Sequence, residues 1–351
     1  MKFTKLPIFD LRNETAEAIT ISFKPTDKEW LNYLAGQYLT LRLEIDGESV
    51  RRSYSLCSSP ATDKLLSVTV KAVEGGKVSN YLKNNLKVGD MVEVMPPMGN
   101  FTLKTNPTHS FHYILIGAGS GITPIISILK TALANENKSK ITLLYANRNE
   151  NSIIFKNELE LLQNKYPKQL TVIHTLTQPN NNWKGHTGRL EGKLAQKLLS
   201  EAIQSTPLQQ QFYLCGPNEM ITNMQQLLNL IGVPSKNIHR ELFSAPPPDE
   251  NDEEEIEYEV ITQTVKVWLE GAPYDVVVEP HQTILDAVIA KDLDPPYACR
   301  EGLCTTCRAK LKMGLVAMDE REGLSDEEIE DGFILTCQSH PLTADVTVEY
   351  G

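Results

Sequence analysis

The chain has 351 residues, 41% of them hydrophobic, with six cysteines and a net charge of −11, enough to bury two or three ordinary domain cores. No apolar run approaches the ~18 residues that span a bilayer, and the opening MKFTKLPIFDLRNETAEA is broken by charges every few residues, unlike a secretory leader. Residues 1–248 hold 27 Lys+Arg against 20 Asp+Glu and residues 249–351 hold 7 against 25, and the basic part lacks the Lys/Arg clusters interleaved with aromatics that nucleic-acid binding requires.

Residues 1–105 alternate apolar and polar side chains between turn signals, as in AITISFKP, GQYLTLRLEI, RRSYSLCS, LLSVTVKAV and DMVEVMPP, which predicts a small antiparallel barrel. Over residues 106–243 strands such as FHYILIGAG, KITLLYAN and QFYLCG alternate with helices such as TPIISILKTALAN, SIIFKNELELLQNKY and NEMITNMQQLLNLIG. That alternation predicts a parallel sheet with covering helices. SAPPPDENDEEE, residues 244–255, joins three prolines to six acids and reads as a linker. In residues 256–351, EYEVITQTVKVWLE and YDVVVE predict a hairpin, TILDAVIAKDL a helix and DVTVEY a closing strand.

Three segments suit anionic or flat ligands. Arg52-Ser53-Tyr54-Ser55 ends a barrel strand, offering a guanidinium for a pyrophosphate, a ring face and a hydroxyl. Gly75-Gly76-Lys77-Val78-Ser79 follows where a helix should start, so amides and a hydroxyl converge there. Gly117-Ala118-Gly119-Ser120-Gly121-Ile122-Thr123-Pro124 lies between a strand and a helix. Glycine lets backbone approach phosphate, and Pro124 suits a first helical turn. The spacing is not G-x-G-x-x-G, and each segment alone also reads as an ordinary turn, strand end or cap. The next strand ends Ala146-Asn147-Arg148, with no acid before Glu150. An acid there binds a ribose 2′-hydroxyl, whereas Arg pairs with a 2′-phosphate. The reading leans to NADPH over NADH, the alternative for Arg148 being an exposed loop charge.

Cys299, Cys304 and Cys307 follow C-x4-C-x2-C, and Cys337 comes about thirty residues later. This is the plant-type pattern for a 2Fe–2S cluster, and soft thiolates suit iron. Structural zinc is the alternative, although zinc ribbons usually pair two C-x2-C knuckles and only one is present. Gly302 permits a tight loop, and Pro295-Pro296-Tyr297 should end a short helix. Thr305 stands after the second cysteine, where Gly or Ser is frequent, and is expected to adjust hydrogen bonding to the cluster. Cys57 and Cys215 have no motif partner, which fits a reducing, cytoplasmic interior.

Together with Cys215-Gly216-Pro217-x-x-Met220, these motifs resemble the ferredoxin–NADP⁺ reductase family over residues 1–243, and residues 256–351 resemble plant-type ferredoxins. The resemblance implies an antiparallel flavin-binding β-barrel, a parallel α/β nucleotide-binding domain and a C-terminal β-grasp ferredoxin domain. It implies FAD, rather than FMN, at Arg52, Tyr54, Ser55, Val70, Lys71, Gly76, Lys77, Val78 and Ser79. It implies the nicotinamide nucleotide at Gly117, Gly119, Gly121, Thr123, Pro124, Arg148, Cys215, Gly216 and Pro217. Ser55, Cys215, Glu241 and Phe243 are expected beside the reacting rings, with Phe243 packed on the isoalloxazine until nicotinamide displaces it. For Glu241 and Phe243 the alternative is a plain closing strand. The domain order resembles reductase components of bacterial oxygenases. YANR, SIIFKNEL and GGKVSNYL are most similar to the phenylacetyl-CoA epoxidase group, with 3-ketosteroid 9α-hydroxylase reductases second.

The expected activity follows from electron counting. NADPH gives up two electrons as a hydride, a 2Fe–2S cluster accepts one, and flavin does both. The resemblance thus implies an NAD(P)H-dependent reductase feeding a protein acceptor, an oxygenase of di-iron or Rieske type. The alternatives are an electron-transfer subunit for a non-oxygenase partner and a redox-sensing metal-binding module. Asp319, Glu320 and Glu322 are candidates for docking the acceptor, or else solvated surface.

Overall fold

The structure, a computed structural model, describes residues 2–244 and 261–351, so all of the expected linker except Ser244 lies outside the described residues. Six antiparallel strands make the first unit: β1 (Thr4–Asn13), β2 (Ala18–Phe23), β3 (Tyr38–Ile45), β4 (Glu48–Ser55), β5 (Leu66–Lys71) and β6 (Met91–Val94). Their order is β4-β3-β6-β1-β2-β5, and a bridge between Leu56 and Val68 brings the end of β4 back to β5. Strand β2 shows how the pattern works. Ile19, Ile21 and Phe23 enter the barrel core. Thr20 and Ser22 alternate with them and pair with Thr69 and Ser67 of β5 at 2.7 and 2.8 Å, which satisfies polar atoms that burial would otherwise penalise. Helix α1 (Lys77–Asn84) packs on this core through Val78 and Leu82.

A wholly parallel sheet follows, of β7 (Phe111–Ala118), β8 (Lys140–Asn147), β9 (Leu170–Leu176), β10 (His186–Thr187), β11 (Gln209–Gly216) and β12 (Ile238–Leu242). Helices α2 (Ile122–Asn135) and α3 (Lys156–Lys165) share a core with Tyr113 and Leu115 of β7. Helices α4 (Gly192–Gln204) and α5 (Asn218–Leu230) share the other core with Ile114 and Ile116. The order β10-β9-β8-β7-β11-β12 reverses direction between β7 and β11, and open parallel sheets bind ligands beyond the carboxyl ends of strands at such a reversal. Helix α2 is buried almost throughout, because its far side meets the barrel. There Ser127 Oγ donates to Ser58 O at 2.5 Å, and Thr131 and Ser59 hydroxyls meet at 2.7 Å. The helix expected from SIIFKNEL starts only at Lys156, since Phe155 takes a left-handed φ of 60° after a capped turn at 150–152.

The last unit pairs β13 (Gln263–Leu269) with β14 (Ala272–Val278), then adds α6 (Ile284–Ala290), β15 (Arg308–Met313), β16 (Val316–Met318), α7 (Asp326–Glu330), β17 (Phe333–Leu335), β18 (Ser339–Pro341) and β19 (Thr347–Tyr350). The main sheet runs β14-β13-β19-β15-β17, with α6 laid on it through Ile284, Ala287 and Val288. Helix α6 stops short of Pro295-Pro296. Asp292, at φ 58°, breaks it earlier, and residues 293–298 become an irregular approach to the cysteine loop.

Candidate functional site

The reversal point faces barrel strand β4 across a cavity of about 320 Å³, at the lower end of the range for ligand pockets. The barrel contributes Arg52, Tyr54, Ser55, Lys71 and Ser79 to its walls, and the parallel sheet contributes Ser120, Thr123, Glu241 and Phe243. Cys299, Glu301 and Cys304 come from the third unit. Residues from three structural units therefore line one cleft.

On the barrel side, Gly76 precedes the first turn of α1 without a side-chain cap, leaving that turn's amides for a ligand. A Cβ at Gly76 would stand 2.5 Å from Val73 Cγ2 and 2.6 Å from Ser79 Oγ, so glycine alone lets this turn close. Val70 and Val78 bury their side chains in the barrel core, which leaves only their backbones for a ligand. Lys77 turns outward to Glu48, at 2.6 Å, while Lys71 lies 3.5 Å from Glu17. A guanidinium, an aromatic face, hydroxyls and free helix amides form a donor set that fits a flavin nucleotide.

On the sheet side the glycines divide their work. Gly119 has φ 54° and open space around its Cα, whereas a Cβ at Gly121 would lie 2.1 Å from Cys215 O. Gly121 thus serves the packing of α2 against β11, and Gly119 serves approach. Thr123 Oγ1 donates to Ser120 O at 3.0 Å, Pro124 sits in the first turn of α2, and Pro217 caps α5. Arg148 follows the end of β8, with 60% of its side chain exposed and Glu17 3.9 Å away, an exposed pair of little strength. Glu150 accepts the Asn180 amide at 3.1 Å.

Glu241 is the one carboxylate of β12, and Ser55 Oγ donates to its Oε2 at 2.8 Å. Burial in the cleft wall pushes its pKa from the ordinary 4.5 to about 8, although the Ser55 bond works the other way. Cys215 lies beside Glu241 in the sheet register. Its side chain is fully buried and does not reach the cavity. Burial, then Glu241, hold that thiol well above its usual range. Phe243 lies 45% exposed at the cleft mouth.

The four motif cysteines form two pairs, Cys299 with Cys304 and Cys307 with Cys337. The neighbouring Cys304, together with the amides of residues 301, 303 and 304, brings the Cys299 thiol below its usual range. Cys337 is lowered in the same way by Cys307, helped by the Gly302 amide. Among the described residues no three His, Cys, Asp or Glu side chains are grouped to hold one metal ion. Two cysteine pairs supplied with amide donors match a binuclear iron–sulfur cluster, which would take two ligands to each iron. Gly302, at φ 73°, turns the loop as expected.

The loop is held to the barrel by residues that the motifs do not contain. Tyr38 OH accepts the Thr305 N–H at 3.0 Å, so Thr305 faces the barrel rather than adjusting the cluster directly. Arg51 pairs with Asp294, donates to Pro295 O at 2.9 Å and stacks 4.0 Å above Tyr297. Strand alternation was the available signal, because Arg51 must face away from its neighbour Arg52. The expected docking acids already have partners: Asp319 meets His340 at 3.0 Å, Glu320 accepts the Arg321 and Glu322 amides, and Glu322 takes two bonds from Arg240 at 2.8 and 2.6 Å.

Three family models match the chain in sequence: an oxidoreductase FAD-binding domain over residues 9–103, an oxidoreductase NAD-binding domain over 115–226, and a 2Fe–2S iron–sulfur cluster binding domain over 268–342. A 1,2-phenylacetyl-CoA epoxidase subunit from Escherichia coli is 35% identical over 99% of this chain and 98% of its own. The ferredoxin reductase component of 3-ketosteroid-9-alpha-monooxygenase from Rhodococcus rhodochrous is 38% identical over 96% and 94%. Among solved structures, phthalate dioxygenase reductase superposes with a TM-score of 0.58 at 22% identity, covering 99% of this chain and 98% of that one.

Between about pH 4.5 and 8 folded Glu241 keeps its proton while the unfolded side chain loses it, so folding should weaken as pH rises through that window. Glu241→Gln should flatten this slope in the flavin-free protein. Denaturant midpoints at about pH 5 and 8 check it, and parallel slopes for parent and variant would refute the shift.

Proposed function

The chain belongs to the ferredoxin–NADP⁺ reductase family in its form with a C-terminal 2Fe–2S domain, an NAD(P)H-dependent reductase of oxygenase systems, and from that premise we propose how this cleft works and whom it serves. The observation that carries the reading is the shared cavity, in which the nucleotide end of the sheet, the flavin face of the barrel and two cluster ligands meet. FAD, when bound, supplies the chemistry that takes a hydride from the nicotinamide and gives up its two electrons singly to the cluster. The protein's own work is placement and exclusion of water. Arg52 and the first turn of α1 hold the pyrophosphate, and Tyr54 and Ser55 lie along the ring system. Gly119, Thr123 and the Gly216-Pro217 turn bind the nicotinamide nucleotide. Phe243 covers the ring until nicotinamide takes its place. Ser55 and Glu241 hold a proton at the cleft wall, and Cys215 supports Glu241 from behind. Cys299 and Cys304, on the same wall, give the shortest way out toward the cluster.

The acceptor in this proposal is an oxygenase component of phenylacetyl-CoA epoxidase type. Near-complete mutual coverage with the epoxidase protein supports it. The 3-ketosteroid monooxygenase reductase, at 38% identity, supports a second reading. The six cysteines are all free, and no described helix is long and apolar enough to cross a membrane. Both fit the cytoplasmic location proposed here.

Cys304→Ala should abolish electron transfer to an added cytochrome while leaving flavin reduction by NADPH nearly intact in stopped-flow spectra. Collapse of both, with the fold preserved, would break the linear route. Arg148→Ala should cost NADPH at least about tenfold in kcat/KM and spare NADH, since one charge-assisted bond to the 2′-phosphate is lost. Equal losses would remove Arg148 from that site. For the acceptor, the reduced protein should discharge into the epoxidase oxygenase component faster than into the ketosteroid oxygenase, and the reverse order would favour the second reading.

A further inference from the structure

Phe243 stands between two anchors of unequal strength. On one side Leu242 ends strand β12 opposite Gly216 in the register with β11, and packs against the core that α4 and α5 share with the sheet. On the other side, beyond the end of that ladder, a side chain takes over. Asn218 Nδ2 donates to Ser244 O at 2.9 Å. A carbonyl can only accept, so it is the NH2 end of Asn218 that faces Ser244. The other end, Oδ1, is out of water and has no partner, so among the described residues the bond to Ser244 is the one this amide makes.

The stem of that clasp is firmly placed. A Cβ at Gly216 would lie 2.7 Å from Met220 Cε and 3.1 Å from Ala118 Cβ, which shows how closely the end of β11 fits against the end of β7. Pro217 follows at φ −60°, the value its ring imposes, and Asn218 opens helix α5. The turn assigned above to the nicotinamide nucleotide therefore also holds down the segment that carries Phe243 into the cleft. Moving Phe243 aside as a whole means releasing one anchor. Leu242 would have to leave an apolar core, whereas Ser244 gives up a single exposed hydrogen bond. The weaker anchor is the one that yields.

We propose that Asn218 is a positioning residue that, through Ser244 O, keeps Phe243 over the cleft and so sets the share of molecules in which nicotinamide can reach the flavin ring. A ligand that binds only the open form loses apparent affinity in proportion to the open share. The bond thus works against the nucleotide and in favour of a covered ring when the site is empty. Because Phe243 lies at the nicotinamide end, the effect is the same for both coenzymes, unlike a contact to the 2′-phosphate. The inference rests on the reading of Phe243 as the cover that nicotinamide displaces.

The test is a titration of the oxidised full-length holoprotein with NADP⁺ and, in parallel, NAD⁺. It reads the dissociation constant and the long-wavelength absorbance that nicotinamide gives when stacked on flavin. Asn218→Ala, at a helical position that tolerates alanine, should tighten both nucleotides about fivefold, the worth of one ordinary hydrogen bond, and strengthen the band. Asn218→Ser, too short to bridge the gap, should do the same. Phe243→Ala should tighten binding at least as much, and adding Asn218→Ala to it should change nothing further, because the clasp then has no cover to hold. Unchanged or weaker binding in the Asn218 variants overturns the proposal, and so does an equal gain with and without Phe243. If Phe243→Ala by itself moves neither the constant nor the band, the reading of Phe243 as the cover fails instead, and that single variant tells the two failures apart.

Discussion

A guanidinium buried between two domains holds the segment before the cysteine loop against the barrel. The side chain of Arg51 is 6% exposed and commits itself to the segment leading into the cysteine loop. It bonds Asp294 and Pro295, stacks on Tyr297 and has Phe3 5.2 Å away on the barrel side. Burial works against the Asp294 carboxylate, but bonds from Arg51 and Arg42 outweigh it and keep the acid below its usual range. Only the Arg51 side of this pair is buried, since 65% of the Asp294 side chain is exposed, and it is the guanidinium that removal of its partners would strand. Exposed pairs such as Arg240–Glu322 add about 0–1 kcal/mol each and serve mainly to fix orientation. The position of Cys299 and Cys304 in the cleft wall depends on the first kind of contact.

Each domain has an apolar core of its own, a further cluster joins the barrel to α2, and the cleft lies where the three units meet, as small-molecule sites often do. Glu241 shows what that placement achieves. It lines the cleft and also a second cavity of about 740 Å³ between β12 and the cysteine domain, whose walls include Tyr38 and Cys304. The same residue therefore borders both cavities.

Local spacing carried much of this in the sequence. The barrel alternation, the strand–helix alternation and the C-x4-C-x2-C run each depend on near neighbours in the chain, and each has its counterpart in the structure. Helix bounds were less legible, since Phe155 just before α3 and Asp292 just after α6 adopt left-handed backbone, which for Phe its residue type does not announce. Gly121 was legible as a glycine but not as a packing glycine, because its reason lies in Cys215 on a strand almost a hundred residues away. The same limit hid Tyr38 and Arg51, which act across the seam between domains. Glu322 read as free surface charge because nothing near it in the chain points to Arg240.

The barrel face under the cysteine loop shows how far the three units have grown together. Tyr38, Met95 and Met98 form one apolar patch with Ala298 and Cys304 of the other domain. Severing the chain at the acidic segment to obtain a stand-alone flavoprotein would bare that patch and leave Arg51 without its counter-charge in the same stroke. Such a fragment would carry a sticky spot where its missing neighbour had been. Anyone trading the iron–sulfur domain for another electron carrier would have to bring a matching underside with it, or repaint those barrel positions as surface first.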